Sequence, residues 1–190
     1  MIIYSQNLTN YGITISDDAI YRINLAWVNS IDELTILLQK HNKHKIFMDL
    51  PVGRTKPPNN AYSLNDLIPI IKQYSNIKYF AISNVTSPND LEEYLRIMPS
   101  DITIVPKIES PEGVKNIQKI TKIIRNKEKI IMLDHDDLYS SLIKKGEPPS
   151  QFKEHVKELI QFCDENKITL LRTIGVIFSD EEKRDTQYVR

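Results

Sequence analysis

Lys107 and Glu109 stand two residues apart, and two is the repeat of a strand. Ile102, Ile104 and Val105 are apolar and β-branched, so a strand begins there. Val105, Lys107 and Glu109 then share one face, opposite Ile104, Pro106 and Ile108. Ser110 reads as a helix N-cap and Pro111 as the first helical residue. Val114, Ile117 and Ile120 follow at helical spacing, with Ile123 and Ile124 a turn later. An amine and a carboxylate therefore meet at the C-terminal end of a strand, just before a helix, where α/β proteins bind ligands. A solvated ion pair at a strand end has the same letters. A second acidic group, Asp134-His135-Asp136-Asp137, places four metal-ligating side chains in a row. Neighbours in sequence rarely all face one ion, so the run reads as one ligand with the rest at a loop surface.

The elements that would position these groups fit one domain over residues 1–190. The chain is 41% hydrophobic, enough for a core. Lys+Arg 25 balances Asp+Glu 25, so no global field attracts nucleic acid or an anionic membrane. No apolar run is long enough to span a bilayer, and the first residues lack the basic start of a secretory signal. The single cysteine, Cys163, cannot form an intrachain disulfide and suits a reducing, cytoplasmic setting. It falls on an apolar helical face with Phe152, Val156, Leu159 and Ile160, the place of a buried structural thiol. His41 and His44 fall near a helix end and read as solvated cations complementing the helix dipole. Residues 180–190 read as a polar tail or a short helix.

Strands and helices alternate. MIIYS, Ala19–Leu25, Lys45–Asp49, Tyr79–Ser83, Ile102–Glu109, Lys129–Asp134 and Ile168–Thr173 read as strands. Helices open at the capping sequences Ser30-Ile31-Asp32-Glu33, Ser63-Leu64-Asn65-Asp66, Ser87-Pro88-Asn89-Asp90 and Ser110-Pro111, and at Asp136 and Phe152. Near-continuous apolar strands alternating with helices mean a parallel sheet covered by helices. The architectures open are a doubly wound sheet and a (β/α)8 barrel. Neither G-x-G-x-x-G nor a P-loop occurs, and there are only five glycines, so the usual phosphate-cradling loops are absent. A polar residue recurs at strand ends (Asn24, Asp49, Ser83, Glu109, Asp134, Thr173), as in a barrel whose site is built from several strands. Barrels run to ~250 residues and seldom below ~200, so about seven strands, a truncated barrel, are expected.

The same segments resemble, in order, the barrel domain of pyruvate kinase, of the phosphoenolpyruvate/pyruvate-binding superfamily. Tyr21-Arg22-Ile23-Asn24 resembles that family's Arg-Leu-Asn-Phe strand, and Ile46–Asp49 with Gly53-Arg54-Thr55 its third strand and Ile-Arg-Thr. Phe80–Leu91 resembles its fourth strand and helix. Pro106-Lys107-Ile108-Glu109 with Glu112–Ile117 resembles its most diagnostic element. Ile131–Leu138 resembles its sixth strand and Gly-Asp-Leu, and Arg172-Thr173 its Ala-Thr. The resemblance implies an Mg2+- or Mn2+-dependent reaction of phosphoenolpyruvate, pyruvate or a related 2-oxo acid through an enolate. It implies Glu109 and Asp137 as ligands of the divalent ion, and Asn24 and Asp49 as two positions of a K+ site. Lys107 would place positive charge beside the enolate, Thr173 would lie over its carbon, and Arg22 would contact a phosphoryl group. Backbone N–H groups around Asp136 and Asp137 would receive the substrate carboxylate.

The departures are specific. The family's lid domain is replaced by the loop PVGRTKPPNN, and its C-terminal domain is absent. His135 and Asp136 replace an arginine and a glycine, Ala26 replaces a serine of the potassium site, and no eighth strand is visible. Aldolases and citrate-lyase β-type C–C lyases of the same superfamily share the Arg22 strand and the Pro-Lys-Ile-Glu-Ser-Pro-Glu-Gly-Val wording, without a lid; such a lyase is the alternative. A non-catalytic barrel kept as an interaction module is a third. A barrel short of one strand leaves an open edge, so a homo-oligomer is expected.

Overall fold

A computed structural model describes residues 3–6, 14–53 and 62–172. The described residues form seven strands and seven α-helices. They are β1 (Ile3–Ser5), β2 (Ile20–Asn24), α1 (Ile31–Lys40), β3 (Lys45–Leu50), α2 (Leu64–Gln73), β4 (Ile77–Ile82), α3 (Asn89–Ile97) and β5 (Thr103–Ile108), then α4 (Pro111–Lys115), α5 (Ile117–Ile123), β6 (Ile130–Leu133), α6 (His135–Lys144), α7 (Gln151–Glu165) and β7 (Thr169–Arg172). A 3₁₀ turn, Leu25–Trp27, follows β2. No helix among the described residues is long and apolar enough to cross a membrane.

The fold is α/β with parallel pairing. β1, β2, β3 and β4 pair as consecutive neighbours, and β5, β6 and β7 do the same. The strand order follows the chain. A doubly wound sheet reverses its order at a switch point, whereas a barrel wall is laid down in sequence; the order seen is the sequential one. The chain divides into two compact units, Met1–Ser83 with Leu91–Val105, and Asn84–Asp90 with Pro106–Arg190. In the first, Ile23, Phe47, Met48 and Phe80 are fully buried; in the second, Ile108, Ile120, Ile131, Leu138 and Leu159 are.

The caps act as their residues require. Ser30 Oγ accepts from the Glu33 N–H, although the Glu33 carboxylate reaches the Asn29 N–H, one residue short of the usual box. Ser63 and Asp66 form the full reciprocal box. Two expectations need correcting. The helix after Ser110 is two helices, because Asn116 leaves the helical path and its Nδ2 donates to the Thr86 carbonyl at 2.9 Å. His41 and His44 are not solvated: they are 6% and 8% exposed. The His41 ring stacks on Tyr21 with centroids 3.7 Å apart, its Nδ1 lies 3.4 Å from that of His44, and Asn76 Nδ2 donates to both backbone carbonyls. Cys163 is buried as expected, and burial, with the Asp164 charge, pushes its thiol up to about 12, which makes it inert.

The burial of His41 has a consequence in acid. Burial first, then the charges of His44 and Lys40, lower its pKa from 6.5 to about 4. The folded form keeps the ring neutral while the unfolded chain takes up a proton below pH 6.5. The stabilisation is therefore complete above that pH and is lost as pH falls toward 4. Discounted for solvent screening, the linkage amounts to about 2 kcal/mol. In urea denaturation, His41→Phe, which keeps a ring on Tyr21, should lose about 2 kcal/mol less than the parent between pH 7 and 4.5. Equal losses in both proteins would refute this.

Candidate metal centre

In the second unit, the end of β5 brings Lys107 and Glu109 into the interior. Both faces of a parallel strand are covered, so Ile104, Val105 and Ile108 are buried and Lys107 and Glu109 are only 5% and 3% exposed. The solvated strand-end pair is thereby excluded. Lys107 Nζ lies 2.8 Å from Glu109 Oε1 as an ion pair, and Glu109 Oε2 accepts from the Asn84 N–H at 2.6 Å. Ser110 then caps α4 by accepting from the Gly113 N–H, with Pro111 in the first turn.

β6 ends at Leu133, and the next residue, Asp134, is the N-cap of α6. Its Oδ1 accepts from the Asp137 N–H at 3.3 Å. A cap and the residue three positions on share one side of a helix start. Both carboxylates thus gather near Glu109: one oxygen from each of Glu109, Asp134 and Asp137 lies within 4.8 Å of the others. Glu109 is buried, Asp134 half-buried and Asp137 exposed, so the cluster runs from a dry end to a wet one. The family resemblance paired Glu109 with Asp137, and the two lie together here. Asp134 as a third member was not legible in the sequence, although the N-cap spacing Asp134–Asp137 carried the signal.

Burial is the largest influence on the Glu109 carboxyl and raises its pKa. The Lys107 ammonium acts against this, the Asp134 charge adds to it, and the Asn84 N–H again opposes it. Three hard oxygen donors with one ammonium beside them fit a magnesium-class cation, which takes carboxylates and keeps several waters. A cation would offset both the burial of Glu109 and the repulsion from Asp134.

The neighbours turn elsewhere. His135 is 2% exposed, accepts from Arg172 Nε and Nη2 at 3.3 and 3.2 Å, and packs against Phe152. Burial, and then the Arg172 charge, lower its pKa, and its Nε2 is engaged by Arg172 rather than gathered with the three carboxylates. Asp136 is exposed. The Asp137 N–H, expected to receive a substrate carboxylate, is instead committed to Asp134.

In the first unit, Arg22 donates to Asp49 Oδ2 through Nε at 3.1 Å and through Nη2. Asn24 and Asp49 are register neighbours, as the potassium assignment needs. However, Asn24 Oδ1 caps the 3₁₀ turn by accepting from the Ala26 N–H at 3.0 Å, and the charge of buried Asp49 is met by Arg22. Asn24 Oδ1 and Asp49 Oδ2 are thus engaged within the chain. The structure brings together Arg22 with Asp49, and Lys107 and Glu109 with Asp134 and Asp137. Thr173, Arg54, Thr55 and the 180–190 tail lie outside the described residues.

No protein-family model and no curated protein matches this chain. Among solved structures it is similar to the crystal structure of RipC from Yersinia pestis, with a TM-score of 0.61 and 16% identity over 85% of this chain and 72% of that chain. The likeness is one of α/β fold.

Proposed function

We propose that the chain is a truncated barrel of the pyruvate kinase type and an Mg2+- or Mn2+-dependent enzyme acting on phosphoenolpyruvate, pyruvate or a related 2-oxo acid through an enolate. The observation that carries this is the gathering of Glu109, Asp134 and Asp137 beside the buried Lys107. Glu109 and Asp137, with Asp134, would hold the divalent ion. Bound there, it supplies Lewis-acid stabilisation of charge on a substrate oxygen. Lys107 adds a positive charge in a low-dielectric setting, where it stabilises a developing anion more than it would in water. By resemblance, Arg22 would be the phosphoryl contact. Asp136 and Thr173 complete the substrate set by resemblance.

One observation favours the C–C lyase form of this chemistry. Only residues 51–63 join β3 to α2, too few for a lid domain over a nucleotide, and shielding a phosphoryl transfer from water is a lid's task.

The test needs no second substrate. In D2O with Mg2+, the methyl protons of pyruvate should exchange, followed by proton NMR, and a chelator should stop it. Exchange with ATP formation from ADP and phosphoenolpyruvate identifies the kinase form; exchange with condensation onto an aldehyde or acyl-CoA identifies the lyase. Absence of exchange at saturating Mg2+ overturns the enzymatic reading and leaves the interaction module.

A further inference from the structure

We infer that the turn Asn84–Thr86, after β4, is a positioning device for the Glu109 carboxylate, and that Gly113 exists to let that turn approach. The inference rests on the reading of Glu109 as a metal ligand.

The turn grips the end of β5 twice. The Val85 N–H donates to the Lys107 carbonyl at 3.2 Å, and the Asn84 N–H donates to Glu109 Oε2 at 2.6 Å. The second is in the short range of charge-assisted bonds. Asn84 has φ 56. Asparagine visits that left-handed region far more readily than other side-chain-bearing residues, and a β-branched residue is strained there.

Three other groups hold the turn from outside. Asp90 Oδ2 accepts from the N–H groups of Thr86 and Ser87, both at 2.8 Å, and from Thr86 Oγ1 at 2.9 Å. Asn116 Nδ2 donates to the Thr86 carbonyl, which accounts for the break between α4 and α5. Gly113 closes the third side. A Cβ on it would stand 2.6 Å from the Val85 carbonyl oxygen and 3.2 Å from Ile108 Cγ2. Glycine inside a helix costs about 1 kcal/mol relative to alanine, so the bare position is explained by this approach.

With Oε2 held by Asn84 and Oε1 beside Lys107, the Glu109 carboxylate has one orientation, within 4.8 Å of the Asp134 and Asp137 oxygens. An oriented ligand loses less rotamer entropy on binding an ion. Outer partners of metal ligands typically contribute 10–100-fold in affinity.

The experiment follows Mn2+ affinity by calorimetry and the Asn84 amide proton by NMR. Gly113→Ala pushes against the Val85 carbonyl and should weaken Mn2+ binding by ~10–100-fold. Asn84→Val, strained at positive φ, should do the same, while Asn84→Gly, which keeps that backbone, should restore affinity. The Asn84 pair decides the matter if Gly113→Ala fails to fold. In metal-free protein the Asn84 amide proton should lie far downfield and move upfield in Glu109→Gln. Parental Mn2+ affinity in Gly113→Ala and Asn84→Val, or an Asn84 amide indifferent to Glu109→Gln, overturns the inference. A parent that binds no Mn2+ but shows the amide response sinks the metal reading alone and leaves the positioning contact standing.

Discussion

Glu109→Gln should abolish stoichiometric Mn2+ binding and, with it, metal-dependent exchange of the pyruvate methyl protons. The amide keeps the shape of the side chain and its contact with the Asn84 N–H, but removes the buried member of three carboxylate charges. Affinity should fall on the order of 100-fold or more, since loss of an outer partner alone costs up to ~100-fold. Circular dichroism should show the fold retained, which separates loss of the site from loss of the protein. Parental affinity in Glu109→Gln would remove Glu109 from the ligand set.

Lys107→Met should be the most destabilising single change at the site. It leaves Glu109, 3% exposed, without its cation. Breaking a buried pair by removing one partner typically costs ~3–5 kcal/mol, because the other charge stays buried. The double variant Lys107→Met/Glu109→Gln should recover most of that loss, and the coupling appears directly in a double-mutant cycle. Mn2+ should stabilise Lys107→Met more than the parent, because the ion takes over the balancing of Glu109. Exchange should drop even at saturating metal, since the ammonium beside the anion is gone. A loss below ~1 kcal/mol with no coupling would mean that the pair behaves like an exposed one.

Much of the framework was legible in residues that act locally. Ser63 with Asp66, and Ser110 with Pro111, announce helix starts by hydrogen bonds made within one turn, and the structure forms them. The ends of two strands, read at Leu25 and Asp134 from where apolar runs stop, fall within one residue of those seen, Asn24 and Leu133. What the sequence hid depended on distant partners. Alternation along β5 placed Lys107 and Glu109 on one face but could not say whether that face was dry, because a parallel strand is covered on both sides. His41 and His44 looked like dipole-matching cations until Tyr21, twenty residues away, was found stacked on His41. The break at Asn116 comes from Thr86 thirty residues earlier. Asp134 joins Glu109 and Asp137 only because it caps α6, a role that a row of four acidic and imidazole side chains concealed.

Glu109, Asp134 and Asp137 are proposed to hold one divalent ion for enolate chemistry. The most direct measurement is a Mn2+ titration of the parent chain by calorimetry, repeated with oxalate, a mimic of the pyruvate enolate. One ion per chain, bound more tightly with oxalate and weakened in Asp134→Asn and Asp137→Asn, is the predicted result. Absence of saturable binding, or binding indifferent to oxalate and to both substitutions, would contradict it.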